Sequence, residues 1–391
     1  MISVSEARNL ISQNNTKRKF GELQLLDALS CSLAESVPSP IDSPPFNQSA
    51  VDGYAFSNFQ CDLNKPLLVI GEVQAGNVSD VVLKPQQAIR IFTGAPLPES
   101  ADTVVMQEKV LLDSSHITIT DQNLKQGSNV RLKGSQIKSG QLAMDKLQLL
   151  NPAAISFLAG IGIHKVNVFL KPSVHIIVTG KELVSPENSI SNGEIYESNS
   201  FGIRAGLNQL FINEVSVEMV DDNQDYIESC ILKALNSDIV VLTGGVSVGD
   251  YDFVALALTN CGVKTIFHKV KQKPGKPFYF GKYQDTLFFG LPGNPASVMA
   301  CFYEYVIPAI HEFMGKQTPK CNYLPLGEAI HKKAGLTHFL KGQTDLVTVK
   351  ALAGQESYLM NSFAIANCLI ELQEQKEVYN KGDLVKVRLL Q

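Results

Sequence analysis

The sequence predicts a multidomain protein of the α/β plus β class. It expects a central α/β domain with a mostly parallel sheet, a small β-rich domain, a linking domain of helical and extended segments, and a C-terminal β domain. Three observations carry this expectation. The chain has 391 residues, more than the roughly 100–200 typical of one domain. Between 174 and 315, β-like runs at 174–178, 215–220, 239–242, 264–269 and 286–289 alternate with helix-length segments, the signature of βαβ units. On either side, from 65 to 133 and beyond 318, the pattern changes to short β-like runs separated by turn residues.

At the N-terminus, Ser3 and Glu6 stand at capping-box spacing ahead of Ala7, Leu10 and Ile11, which predicts an amphipathic helix within 1–15. Leu23, Leu25, Leu26, Leu29 and Leu33 recur at mixed helical spacing and predict a second helix within 22–37. Pro38, Pro40, Pro44 and Pro45 then impose an extended linker. The runs at 67–70, 88–92, 103–106 and 116–120 read as strands of the β-rich domain. Asn151-Pro152 starts a helix over 153–159 that Gly160 and Gly162 end, and Lys171-Pro172 makes another linker. The expected division is 1–45 with 134–171 for the linking domain, 46–133 for the β-rich domain, 172–317 for the α/β domain and 318–391 for the C-terminal β domain.

Composition narrows the function classes. A hydrophobic fraction of 45% with 18% charged residues suits a soluble globular chain. No run reaches the ~18 apolar residues of a membrane span, so no membrane partner is expected and the cytoplasm is the expected compartment. A formal net charge of −4 argues against nucleic acid as a partner and leaves room for a local site for a small anion. The seven cysteines form no CxxC pair and read as reduced, buried thiols; the histidines lack the spacing of a zinc site.

Three strand-to-turn junctions in the α/β domain carry the chemistry. In DIVVLTGGVSVGDYD at 238–252 a buried strand runs into Gly244, Gly245 and Gly249, where backbone N–H groups can approach a phosphate. HIIVTGKEL at 175–183 and LFFGLPGNPAS at 287–297 are two more such junctions, and the carboxyl ends of parallel strands share one edge of a sheet. A helix beginning at Pro295 leaves Ser297 in its first turn. Nearby, Lys269, Lys271, Lys273 and Lys276 cluster, with the first three sharing one face if the segment is a strand, which points to an oxyanion or phosphate. Glu182, Asp221, Asp222, Asp250 and Asp252 supply hard oxygen ligands of the kind that suits Mg²⁺ beside phosphate. Lysines for an anion and carboxylates for a metal suit phosphoanhydride cleavage.

Five segments together also resemble a known family: SAVDGYAF at 49–56, RIFTGAPLPESADTVVMQE at 90–108, TGGVSVGDYD, KPGKPFYFG and LPGNPAS. In order and spacing they are similar to the molybdopterin molybdenumtransferases, the molybdenum-insertion enzymes to which the gephyrin E domain is related. The resemblance runs over essentially the whole chain. It implies an elongated homodimer of four-domain subunits, with a cleft between the α/β domain of one subunit and the β-rich domain of the other. The implied reaction inserts molybdenum from molybdate into adenylylated molybdopterin and releases AMP. By motif, Asp52 and Thr93 come from the β-rich domain, and Glu182, Asp222 and Asp252 line the α/β side, where they hold Mg²⁺. Lys269, Lys273, Lys276, Pro277 and Ser297 bind phosphate or molybdate, and Pro292 and Pro295 shape the wall. Ser247, Asn294 and Arg131 join Gly244, Gly245 and Gly249 as substrate contacts. Molybdopterin adenylyltransferase and acceptor molybdoenzymes are further expected partners.

Two positions depart from the family pattern. An expected Arg-x-x-Gly-Glu-Asp is Arg131 to Gln136 with Ser135 and Gln136 in the acidic places, and Thr-Gly-Asp-Glu has Lys181 in its third place. Two other functions compete on the sequence: molybdopterin adenylyltransferase, whose α/β domain is similar, and a catalytically weak pterin-binding or scaffold homologue.

Overall fold

The computed structural model describes residues 1–78, 80–245, 253–317 and 320–390. They group into two compact units, one of Met1–Glu22, Ser30–Ala34 and Asn167–Gln391, the other of Leu23–Leu29 and Glu35–Val166.

The first unit is built on a six-stranded sheet in the order Val215–Val220, Val174–Thr179, Ile239–Thr243, Thr286–Leu291, Tyr279–Tyr283, Lys264–His268. The first four strands are parallel, and Tyr279–Tyr283 runs antiparallel to both of its neighbours, Thr286–Leu291 and Lys264–His268. Its central strands are apolar throughout because both faces are covered. Ile176, Val178, Ile239, Val241, Leu287 and Phe289 face one core with the helices Asn199–Gln209 and Pro295–Cys301. Ile177, Val240, Leu242 and Phe288 face the other, with Gln224–Ala234 and Phe253–Asn260. This is the period-2 alternation of a strand. The chain goes from Val174–Thr179 outward to Val215–Val220 and returns to the other side as Ile239–Thr243. The order therefore reverses between Thr179 and Gly244, where open α/β sheets place their crevice.

The expected first helix spans Val4–Asn14, and its capping box is complete: Ser3 Oγ accepts the Glu6 N–H and Glu6 accepts the Ser3 N–H. Val4, Ala7 and Ile11 pack into the α/β core, so this helix lies in the first unit. The C-terminal sheet also belongs to this unit. Gln272–Lys273, Thr337–Thr344, Cys368–Leu372, Leu384–Leu389 and Asn322–Pro325 lie side by side, with Val349–Ala351 on Thr337–Thr344. Phe339, Phe363 and Leu390 join the α/β core.

The second unit holds a six-stranded sheet in the order Thr103–Met106, Gly53–Phe56, Gln87–Ile91, Leu67–Val73, His116–Ile119, Val110–Asp113. Its strands again alternate: Ala55, Ile89 and Val104 enter one core, Tyr54, Phe56, Ala88 and Val105 the other. The helix Pro152–Gly160 starts at Asn151, whose side chain accepts the Ala154 N–H.

The helix expected within 22–37 does not form. Phe20–Gln24 is a strand and turns follow, with Ser30 left-handed at φ 64°. The leucines do not make one stripe: Leu25 and Leu33 are buried while Leu26 is 81% exposed. A helical face would bury them together.

Candidate active site

The carboxyl ends of the parallel strands open into a cavity of about 610 Å³ lined by Thr179, Gly180, Glu182, Asp222, Gly244, Gly245, Pro292, Gly293 and Asn294, among others. All three sequence-identified junctions contribute to it. Gly244 and Gly245 are left-handed, at φ +85° and +59°. A Cβ on Gly244 would lie 2.4 Å from the Thr179 carbonyl oxygen, and one on Gly245 2.7 Å from Val254 Cγ2. Only glycine lets this turn close against its neighbour. The third junction lies beside it, with Gly293 Cβ space 3.8 Å from Gly244 Cα, and Asn199 Nδ2 donates to the Gly293 carbonyl at 3.0 Å.

Glu182 and Asp222 face this cavity together. Partial burial, then the nearby Glu182 charge, push the Asp222 carboxyl above the ordinary carboxylate range, and the Lys181 N–H and ammonium oppose this. Asp221 adds a weaker upward push and lines neither of the cavities described here. Two mutually repelling carboxylates on a cavity wall fit Mg²⁺, which takes one or two protein carboxylates and keeps several waters. Among the described residues no group of three His, Cys, Asp or Glu side chains could hold a metal.

A second cavity of about 650 Å³ adjoins the first, sharing Pro277, Pro292 and Asn294 in its wall. Lys273, Lys276 and Lys332 make it basic, Ser297 and His338 add polar groups to its wall, and Ser357, in a turn of the C-terminal segment, closes it. Ser297 is 3% exposed. Asn294 Nδ2 donates to Ser357 Oγ at 3.0 Å, and the Ala296 N–H donates to the Ser357 carbonyl at 3.1 Å. Burial, then Lys332 and Lys273, lower the His338 imidazole below its ordinary pKa, which keeps it neutral near pH 7.

In the other unit, Asp52 and Thr93 form one local pair: Thr93 N–H and Oγ1 both donate to Asp52 Oδ1 at 2.8 Å. These two bonds, backbone first, with Arg90 adding to them, hold the Asp52 carboxyl below its ordinary value. Gly53 is required beside it, since a Cβ there would meet the Val105 carbonyl oxygen at 1.9 Å. Arg131 is exposed in the short strand Val130–Arg131, which pairs with Gln48–Ser49.

The lysine segment corrects one expectation. Lys269 is left-handed at φ 81°, which ends the strand Lys264–His268 before it, and Gln272–Lys273 starts a different pairing. Lys269, Lys271 and Lys273 therefore do not share one strand face. Lys271 pairs with Glu374 at 3.1 Å, and Lys269 lines neither cavity. Ser247, Gly249, Asp250 and Asp252 lie outside the described residues. The sequence reading missed Tyr196 and Asn199 in the first cavity and Lys332, His338 and Ser357 in the second. Asn199 had a local signal, as the first residue of a helix after a turn-rich stretch. Those from the C-terminal segment had none, because only packing carries them to the lysines.

Comparison with known proteins decides the family. The model of the MoeA N-terminal region (domain I and II) matches residues 2–162, that of a probable molybdopterin binding domain matches 175–312, and that of the MoeA C-terminal region (domain IV) matches 323–390. The molybdopterin molybdenumtransferase of Haemophilus influenzae is 33% identical over 398 residues, covering 99% of this chain and 98% of the relative. That of Staphylococcus epidermidis is 33% identical over 404 residues, covering 99% and 95%. This chain belongs to the molybdopterin molybdenumtransferase family. A crystal structure of the molybdopterin biosynthesis protein MoeA from Pyrococcus horikoshii matches with a TM-score of 0.85 at 29% identity, covering 100% of this chain and 99% of that one. Another crystal structure, of a molybdopterin biosynthesis MoeA protein from Pyrococcus horikoshii OT3, gives 0.82 at 30% identity, with 100% of both chains covered.

Against the MoeA pattern, the two departures have distinct surroundings. Gln136 Oε1 accepts the Ser43 hydroxyl at 3.2 Å, a role a carboxylate oxygen would also fill. Lys181 is exposed beside the first cavity and lowers Asp222 through its N–H and its charge.

Proposed function

We propose that this chain is a molybdopterin molybdenumtransferase that inserts molybdenum from molybdate into adenylylated molybdopterin with release of AMP, the last step of molybdenum-cofactor biosynthesis. One observation carries the reading: a carboxylate-bearing cavity at the switch point of the sheet opens onto a lysine-lined one. The first suits a nucleotide phosphate, with the Gly244–Gly245 backbone free to approach it closely. The second suits a tetrahedral dianion, with Lys273 and Lys276 for charge and the buried Ser297 hydroxyl as a hydrogen-bond partner. The shared wall of Pro277, Pro292 and Asn294 would hold the two reactants side by side, which converts their encounter into a positioned one.

Glu182 and Asp222, with Asp252 expected from its motif, would hold Mg²⁺. When bound, the cation neutralises charge on the phosphate and eases departure of AMP. Asp52, kept ionised by Thr93, would complete the cleft from a second subunit, so the functional species is a homodimer, and the expected compartment is the cytoplasm. No helix among the described residues is long and apolar enough to cross a membrane.

Purified protein incubated with adenylylated molybdopterin, molybdate and Mg²⁺ should release AMP and yield a cofactor that activates an apo-molybdoenzyme. Binding of the adenylylated pterin with no AMP release would reject the enzymatic reading. Sedimentation at assay concentration should give a dimer, and full activity in a strict monomer would reject the shared cleft.

A further inference from the structure

The lysine loop rests on a buried side chain that the reaction above leaves unused. Gln272 is 1% exposed. Its Nε2 donates to the carbonyls of Pro274 and Gly275, both at 3.1 Å, and its Oε1 accepts the Tyr305 hydroxyl. The roles are forced: two carbonyls can only accept, so the NH₂ end faces them and the carbonyl end faces a phenol that must donate.

Tyr305 is itself held, 1% exposed and stacked on Phe278 with ring centroids 4.4 Å apart. It lies in the π-helical turn Phe302–Val306, which continues the helix Pro295–Cys301 that carries Ser297. The loop sits directly on the end of that helix. A Cβ on Gly275 would lie 2.5 Å from Cys301 Sγ and 2.9 Å from Gln272 Nε2.

We propose that Gln272, oriented by Tyr305, is a positioning residue for oxyanion binding in the second cavity. By tying the Pro274 and Gly275 carbonyls inward, it keeps these two oxygens from competing with the ammonium groups of Lys273 and Lys276 for the cavity. An outward carbonyl would set its negative end against a dianion and cancel part of the lysine attraction. The inference rests on the assignment of molybdate to this cavity.

Tyr305→Phe removes the hydroxyl and keeps the stacked ring, so the Gln272 amide is free to turn. In the AMP-release assay this variant should raise KM for molybdate by about 3- to 10-fold, the loss of one buried hydrogen bond. Its kcat at saturating molybdate and its KM for adenylylated molybdopterin should stay within about twofold of wild type. Gln272→Met should raise the molybdate KM at least as much, and adding Tyr305→Phe to it should have no further effect, because no amide remains to orient. Gln272→Met carries the test alone if Tyr305→Phe does not fold.

Lys276→Ala separates the two levels of the argument. If it raises the molybdate KM while Tyr305→Phe and Gln272→Met do not, the positioning role is overturned and the cavity assignment stands. If Lys276→Ala also leaves that KM unchanged, the cavity assignment falls and takes the inference with it. A parallel loss of kcat and of affinity for both substrates in Tyr305→Phe means general loosening and overturns the inference.

Discussion

Gly244→Ala perturbs the turn on which the proposed nucleotide cavity depends. Gly244 has φ +85°, a left-handed conformation that costs an L-residue about 1–2 kcal/mol. The added Cβ would also lie 2.4 Å from the Thr179 carbonyl oxygen and must move to at least 3.0 Å, a displacement of 0.6 Å between two paired strand ends. Overpacking of this kind costs about 1–3 kcal/mol, for a total of about 2–5 kcal/mol. Gly193→Ala is the control: φ is +96° there, and nothing lies within 4 Å of the added carbon. It should show only the backbone strain of about 1–2 kcal/mol. Urea unfolding read at constant slope gives both values. Gly193→Ala should keep its AMP release, whereas Gly244→Ala should lose well over tenfold, since a displacement near 1 Å at a reacting centre can cost about 10²-fold. Equal destabilisation by the two substitutions, with turnover intact in both, would refute the close approach of Gly244 to Thr179 as the basis of the turn.

Further predictions concern charge. Asp222→Asn should abolish turnover while leaving the protein at least as stable at neutral pH. The folded carboxyl is raised above its unfolded value, so its ionised form opposes folding at neutral pH and the effect fades as pH falls through the raised value. Denaturant titration across pH 4–8 should show the wild-type and Asn curves converging on the acid side, and a variant less stable at pH 7 would contradict the repulsion. Glu304→Ala should destabilise by about 3–5 kcal/mol in urea unfolding, because the 2% exposed carboxylate pairs with Arg8 at 2.5 Å and Arg388 at 2.8 Å; Arg8 keeps Glu371 at 2.7 Å, but the buried Arg388 guanidinium would lose its carboxylate. A loss near zero would show that solvent replaces it. Thr93→Val removes one of the two bonds to Asp52 Oδ1 and keeps the backbone one. The Asp52 carboxyl should therefore move part-way up toward its ordinary value in an NMR titration, and an unchanged midpoint would assign the whole shift to the Thr93 N–H and Arg90.

Much of the α/β half was legible because its strands are covered on both faces and read as unbroken apolar runs, such as Ile239–Thr243. The capping box of Ser3 and Glu6, the Asn151-Pro152 start and the Pro295 start are local chemistry and formed as read. The segment 22–37 misled because leucine frequency is not leucine direction: Leu26 points to solvent while Leu33 is buried. The lysine run misled for a related reason. Its shared face assumed continuous strand geometry, which the left-handed Lys269 breaks.

The sequence by itself determined the alternation of strands and helices in the α/β domain, the glycine turns at the strand ends, and the family, through five motifs in order. These are properties of neighbouring residues, or of residue types at fixed spacing, so no knowledge of distant contacts was needed. Only the tertiary structure decided that Ser357, Lys332 and His338 of the C-terminal segment close the lysine-lined cavity, that Glu182 repels Asp222, and that Tyr305 orients Gln272 beneath the loop. Each such pairing joins residues about thirty or more positions apart, and which partners meet is set by how layers pack once their apolar faces are buried.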